Sequence, residues 1–256
     1  MTDIKKYSES WIGKEFTTNE GYMAKVIGIG SKSNYCTIQI NDWISEVLCC
    51  HLKTGKIKYP YHQSVYGMGY YGEGKYVAKK NGKMMRSYKT WNSMIERCYN
   101  PKRRNKNLSY VDCIIDPIWL NFQTFAKWYY ENYKEIKGVK FQLDKDLMVE
   151  GNRIYSPQTC KFIPHYVNTF LANKYKTNNT GYTGVIWRKR DEIYESRIND
   201  VNMNKNIYLG RFKDPLEASE AYIEARKIQC INVYNKMVKD GITDQEILNK
   251  FKGGNL

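Results

Sequence analysis

The chain has 256 residues, 42% hydrophobic and 14% aromatic, which is enough apolar content for folded cores and excludes a disordered polyelectrolyte. Forty-one Lys and Arg against 26 Asp and Glu leave a formal charge of +15, which favours a polyanionic partner over a membrane surface or a small-molecule cofactor. No apolar run approaches the roughly 18 residues of a membrane helix, no secretion signal opens the chain, and seven Cys form no regular framework, so a soluble protein of a reducing cytoplasm is expected.

Residues 1–76 predict a small β domain. The runs 23–30, 35–40 and 43–48 are short and β-rich, with a turn at 31–34 between the first two. YGMGYYGEGKY (66–76) reads as a turn-rich connector, because its glycines lack the strand-to-helix context of a phosphate loop. Beyond it the period changes. Tyr88, Trp91, Ile95 and Cys98, with Met94 and Tyr99, predict a helix over 87–99, and Phe122, Phe125, Ala126, Tyr129 and Tyr130 predict another behind Pro117. PKRRNKN (101–107) reads as a basic loop between them.

Charge concentrates in this region. From Gly74 to Lys106 eleven Lys and Arg face one acid, Glu96, and Tyr76, Tyr88, Trp91 and Tyr99 alternate with them. Cations beside flat rings suit a phosphate backbone, so Arg86, Lys89, Arg97, Lys102, Arg103 and Arg104 are candidate DNA contacts.

The polar loop 173–183 marks a domain boundary, followed by strand-like runs at 184–190, 193–198 and 205–212. Asp214-Pro215-Leu216-Glu217 is a capping box with Pro at the first helical position, and a last short helix is expected from Thr243. Three strands backed by one helix can lay a β-surface in a DNA major groove. Arg188, Arg190, Arg197 and Arg211 supply fork-shaped donors there, and Trp187, Tyr194 and Tyr208 supply flat contact area.

Over these residues the chain resembles the plant ethylene-response-factor (APETALA-type) DNA-binding domain, a module also found on phage and bacterial homing endonucleases. Gly184-Val185, Tyr194, Ile198, Tyr208-Leu209-Gly210, Phe212 and Glu220-Ala221-Tyr222 carry the resemblance. Ile186 stands where that domain has Arg, so base preference does not transfer.

FQLDKDLMVEGNRIYSPQTCKFIPHYVN (141–168) resembles the ββα core of HNH-type homing endonucleases. The resemblance implies Asp144 and Asn168 as ligands of Mg2+ or Mn2+ and Asn152 as the residue that pins the loop. Lys145 occupies the place of the general-base His, and a protonated ammonium there would hold phosphate rather than take a proton. His165, three residues before Asn168, is the substitute imidazole, and Asp146 is either a further ligand or a charge partner of Lys145. Cys98, Cys113 and Cys160 lack paired spacing for zinc and read as buried apolar residues.

The expected architecture is α+β and multi-domain. A β-rich domain (1–76) precedes an HNH-like ββα core with helical extension (77–172), a three-stranded antiparallel sheet on one helix (173–235) and a helical tail (236–256). Two functions are compatible with it: a metal-dependent endonuclease acting on double-stranded DNA in a bacterial cytoplasm, or a non-catalytic DNA-binding regulator built on a degenerate core.

Overall fold

The computed structural model describes residues 9–32, 34–106, 110–173, 180–201, 203 and 205–254. Ser33 in the expected turn, Asn107 in the expected basic loop and 174–179 in the expected boundary loop lie outside the described residues. The fold is α+β and divides into two compact units, residues 1–111 with 117–127, and 112–116 with 128–256.

The first unit opens with strands β1 (Glu15–Thr17), β2 (Met23–Ile29), β3 (Tyr35–Ile40) and β4 (Trp43–Leu48), paired antiparallel in that order. Alternation drives the pairing: Ala24 and Val26, then Cys36, Ile38 and Ile40, turn inward onto Trp11, Trp43 and Leu52 of helix α1 (Cys49–Thr54). The glycine-rich connector packs closely against later parts of the same unit. A Cβ at Gly69 would meet Ile95 Cδ1 at 2.4 Å, and one at Gly74 would meet Gln123 Oε1 at 2.4 Å. Gln123 also exchanges hydrogen bonds with the backbone of Tyr76, at 3.0 Å each. Those glycines are there for close approach, which is why they resemble no nucleotide loop.

A hairpin of β5 (Lys79–Lys80) and β6 (Lys83–Met84) leads into α2 (Arg86–Tyr99). Trp91 of α2 is fully buried, donating to the Trp119 carbonyl at 2.7 Å beside the Phe122 ring, so it is core and not a stacking surface for bases. The expected basic loop is instead a helix, α3 (Pro101–Lys106). Asn100 caps it by accepting from Lys102 N at 3.0 Å, with Pro101 placed where no amide hydrogen is needed.

Helix α4 (Phe122–Asn132) starts in the first unit and ends in the second. There β7 (Ile114–Ile115) pairs in parallel with β9 (Ile154–Tyr155), and β8 (Phe141–Asp144) pairs antiparallel with β10 (Lys161–Pro164), which runs directly into α5 (His165–Asn173). Strands β11 (Val185–Arg188), β12 (Ile193–Asp200) and β13 (Lys205–Phe212) form an antiparallel sheet packed on α6 (Pro215–Lys239). The Asp214 cap accepts from the second helical amide, Leu216 N, at 2.8 Å, rather than from the Glu217 amide of the expected capping box. Helix α6 continues past the boundary expected at 235, and α7 (Gln245–Phe251) starts at an Asp244 cap, a residue later than the Thr243 start expected. Ile163, Val167 and Phe170 of the ββα segment share one core with Val233 and Met237 of α6 and Ile247, Leu248 and Phe251 of α7. The tail therefore closes the core of the ββα segment. Phe251→Ala should cost about 3–5 kcal/mol in urea unfolding of the whole chain, and an unchanged midpoint would show the tail to be peripheral.

Candidate metal centre and nucleic-acid interface

On β8 the buried Leu143 alternates with Gln142 and Asp144, which therefore share the other face, about 7 Å apart along the strand. Asp144 Oδ1 accepts from the backbone of Asp146 at 2.9 Å and Leu147 at 2.7 Å, which fixes the carboxylate at the start of the loop. Burial raises its pKa above the ordinary range, partly offset by the Leu147 amide. Asn168 of α5 donates to Gln142 Oε1 at 2.6 Å, so the two expected ligands lie on the same side of the strand pair. One carboxylate and one amide suit a Mg2+ or Mn2+ ion that keeps water and phosphate oxygens, not a closed protein cage. Among the described residues no three His, Cys, Asp or Glu converge on one point, and Cys98, Cys113 and Cys160 are buried.

Lys145 departs from expectation. It is 5% exposed, and its ammonium donates to Asp146 Oδ1 and to the Asn152 carbonyl, both at 2.6 Å, above the Tyr155 ring. The side chain opposite in parity to Asp144 is spent inside the loop, so Lys145 is a structural clasp and not a phosphate contact. Asp146 is its exposed charge partner. Asn152 pins the same loop: its amide donates to the carbonyls of Lys145 and Ile154 at 2.8 Å, and its Oδ1 accepts from Ile154 N. His165 is exposed at the start of α5, one helical turn from Asn168. It borders a cavity of about 220 Å³ with Thr169, Asn199 and Asp200.

The second site is the three-stranded sheet. Val185, Ser196 and Ile198 face α6 and are buried. Trp187 lies opposite Tyr194, and both share the face of Val185 and Ser196, with rings 4.7 Å apart. Strand parity thus puts these two aromatics on the helix side, away from the arginines they were expected to accompany. The open face carries Arg188, Glu195, Arg197, Tyr208 and Arg211, since Glu195 is opposite Arg211 and Arg197 opposite Tyr208. A bulge after Ser196 keeps that last pair in register.

Glu195 organises this face. It is only 3% exposed, and it accepts from Arg188 Nε through one oxygen and Arg197 Nε through the other, both at 2.5 Å. The Arg188 hydrogen bond, against the opposing cost of burial, and the Arg197 bond hold its carboxyl below the usual range. Arg211 lies 3.7 Å from Asp191, and Arg190 projects from the turn beside the same Asp191.

In the first unit, Lys79, Lys80, Lys83, Arg86 and Lys89 are exposed on the hairpin and the start of α2, as are Lys102 and Arg103 on α3. Arg103 lies 3.5 Å from Glu96. Arg97 stacks over Tyr110 and Arg104 donates to the Val111 carbonyl, so those two serve the fold rather than an outer surface. Sequence reasoning missed Gln142 and Glu195. The signal for Glu195 was its spacing two residues before Arg197, which puts both on one face of a strand.

Comparison with protein-family models, curated proteins and solved structures returned no match.

Lys145→Met should lower stability by about 1–3 kcal/mol in urea unfolding, through the Asn152 carbonyl left without its donor. No loss would remove the clasp. Glu195 has a depressed folded pKa, so its contribution is present above its ordinary value of 4.5 and lost as pH falls through the lower folded value. Thermal melts from pH 6 down to roughly pH 2 should show a decline that Glu195→Gln flattens; parallel curves would contradict the clamp.

Proposed function

We propose that the chain is a double-stranded DNA-binding protein of the HNH homing-endonuclease type, with the open face of β11–β13 as its reading surface. The observation that carries this reading is the arginine pair clamped by Glu195 beside Tyr208 and Arg211. Guanidinium forks suit guanine edges and phosphates, and a sheet aims them from rigid backbone. The exposed lysines and arginines of the hairpin, α2 and α3 add sequence-independent attraction to the backbone.

The ββα segment supports a nicking or cutting activity. Asp144 and Asn168 would hold Mg2+ or Mn2+, which when bound supplies Lewis-acid stabilisation of charge on the scissile phosphate. Asp144 would orient through its two amide bonds, Asn168 through Gln142, and His165 would supply the imidazole that takes the proton from water. The second reading, a non-catalytic DNA-binding regulator, is favoured by one observation: the position of the family's base is a buried lysine spent on its loop.

One experiment separates the readings. The chain is titrated with duplex DNA across salt, then incubated with it in magnesium, manganese or chelator. DNA affinity should fall with a log-log salt slope of about −5 for six phosphate contacts. No affinity at low salt would sink both readings. Metal-dependent cleavage abolished by Asp144→Ala and by Asn168→Ala, with DNA affinity kept, supports the enzyme. Cleavage retained in both variants would mean the site is elsewhere, and no cleavage with any metal favours the regulator.

A further inference from the structure

Arg226 is an unusual member of α6. It is 8% exposed, yet among the described residues no carboxylate pairs with it. One Nη donates to the Phe170 carbonyl at 3.3 Å, the guanidinium lies 4.2 Å above the Phe170 ring, and Nε has no acceptor. Cys230, one turn along the helix, offers no anion, since burial raises its thiol pKa. A charge taken out of water on these terms leaves desolvation largely uncompensated. It calls for an anion.

The space for one is present. Arg226 borders a cavity of about 450 Å³ in the second unit, lined also by Arg197, Asn199, Asn206, Thr183 and Tyr222. It opens where β11 begins. Arg197 N still reaches the Gly184 carbonyl at 2.9 Å, but Ile198 and Asn199 run on past the first residue of β11. Gly184 is required there, because its φ is 75° and a Cβ would meet the Tyr222 ring at 2.1 Å.

We propose that this cavity binds the phosphate group of a nucleotide, held by the guanidinium of Arg226 with the Asn199 and Asn206 amides at the rim as further donors. Arginine forks match phosphate oxygens with two bonds at once. The volume exceeds what a bare phosphate fills and falls within the roughly 300–1,000 Å³ of small-ligand sites, so the rest of a mononucleotide is accommodated. The nucleotide has two sources: one turned out of a bound duplex, which rests on the DNA-binding reading, or a free nucleotide, which does not.

The test uses the full chain and calorimetric titration with deoxynucleoside monophosphates, inorganic phosphate and unphosphorylated deoxynucleosides. Monophosphates should bind saturably and deoxynucleosides should not. Arg226→Gln should weaken binding by about tenfold or more, the loss expected for a charged hydrogen-bonding group. Because Arg226 is buried and its loss risks the fold, Asn206→Asp provides a second probe. It sets a carboxylate at the exposed rim and should weaken binding severalfold with the melting temperature kept. Absence of saturable binding up to roughly 10 mM phosphate or nucleotide, or binding unchanged in both variants, overturns the proposal. A duplex carrying 2-aminopurine distinguishes the sources. Fluorescence that rises on binding and is lost in Arg226→Gln assigns a turned-out nucleotide, whereas monophosphate binding without that rise assigns a free one. Nucleotide binding by a chain with no duplex affinity would sink the DNA-reading function and leave the cavity standing; duplex affinity without nucleotide binding would do the reverse.

Discussion

A carboxylate buried in the middle of an open sheet face is costly unless cations cover it, and Glu195 is covered from both sides. That constraint shapes the surface around it. Arg188 arrives from the neighbouring strand and Arg197 from two residues along the same strand, each donating through its Nε to a different oxygen. Both arginine side chains remain 41% accessible, with an outer nitrogen of Arg197 also paired to Glu195. The forks are therefore ordered before any ligand arrives, and less side-chain entropy is lost when one binds. The bulge on β13 brings Tyr208 opposite Arg197, with its ring about 6.0 Å from the guanidinium.

The second unit ties this face to the ββα segment by packing. Phe170 and Val167 on α5 share a core with Val233 and Met237 on α6, and α6 backs the three-stranded sheet through Ala218 and Tyr222. The candidate ligands on β8 and α5 and the arginines on β11–β13 thus hang on the same pair of helices. A module that recognises DNA can then hold a fixed geometry to the residues that would act on it, in line with the need for site groups to rest on rigid elements. The loop between β8 and β9 is held by Lys145 and Asn152 together, and Asp144 sits at its first turn.

Much of this was legible in the sequence. The strands at 23–29, 35–40, 43–48 and 205–212 follow β-rich runs, α2 follows a helical stripe and α6 its Asp214-Pro215 start. The parts that were not legible depend on contacts far apart in the chain. The helix at 101–106 hid behind its charges, although Asn100-Pro101 is a cap signal. Lys145 read as a cation aimed at phosphate because sequence does not show which way a residue at a strand end turns. Trp187 and Tyr194 were grouped with the arginines by composition, whereas the period of two places them on the opposite face. The lack of an ion pair at Arg226 is invisible without packing, since only the fold shows that among the described residues no acid comes within ion-pair distance.

The central claim is that sequence reading belongs to the Arg188, Arg197 and Arg211 face. Selection from a random duplex library tests it directly, with the wild-type chain compared to Arg188→Ala, Arg197→Ala and Arg211→Ala combined. The account predicts that the wild type enriches a motif and that the triple variant, folded by circular dichroism, enriches none while still binding DNA at low salt. Enrichment of the same motif by the triple variant would contradict it.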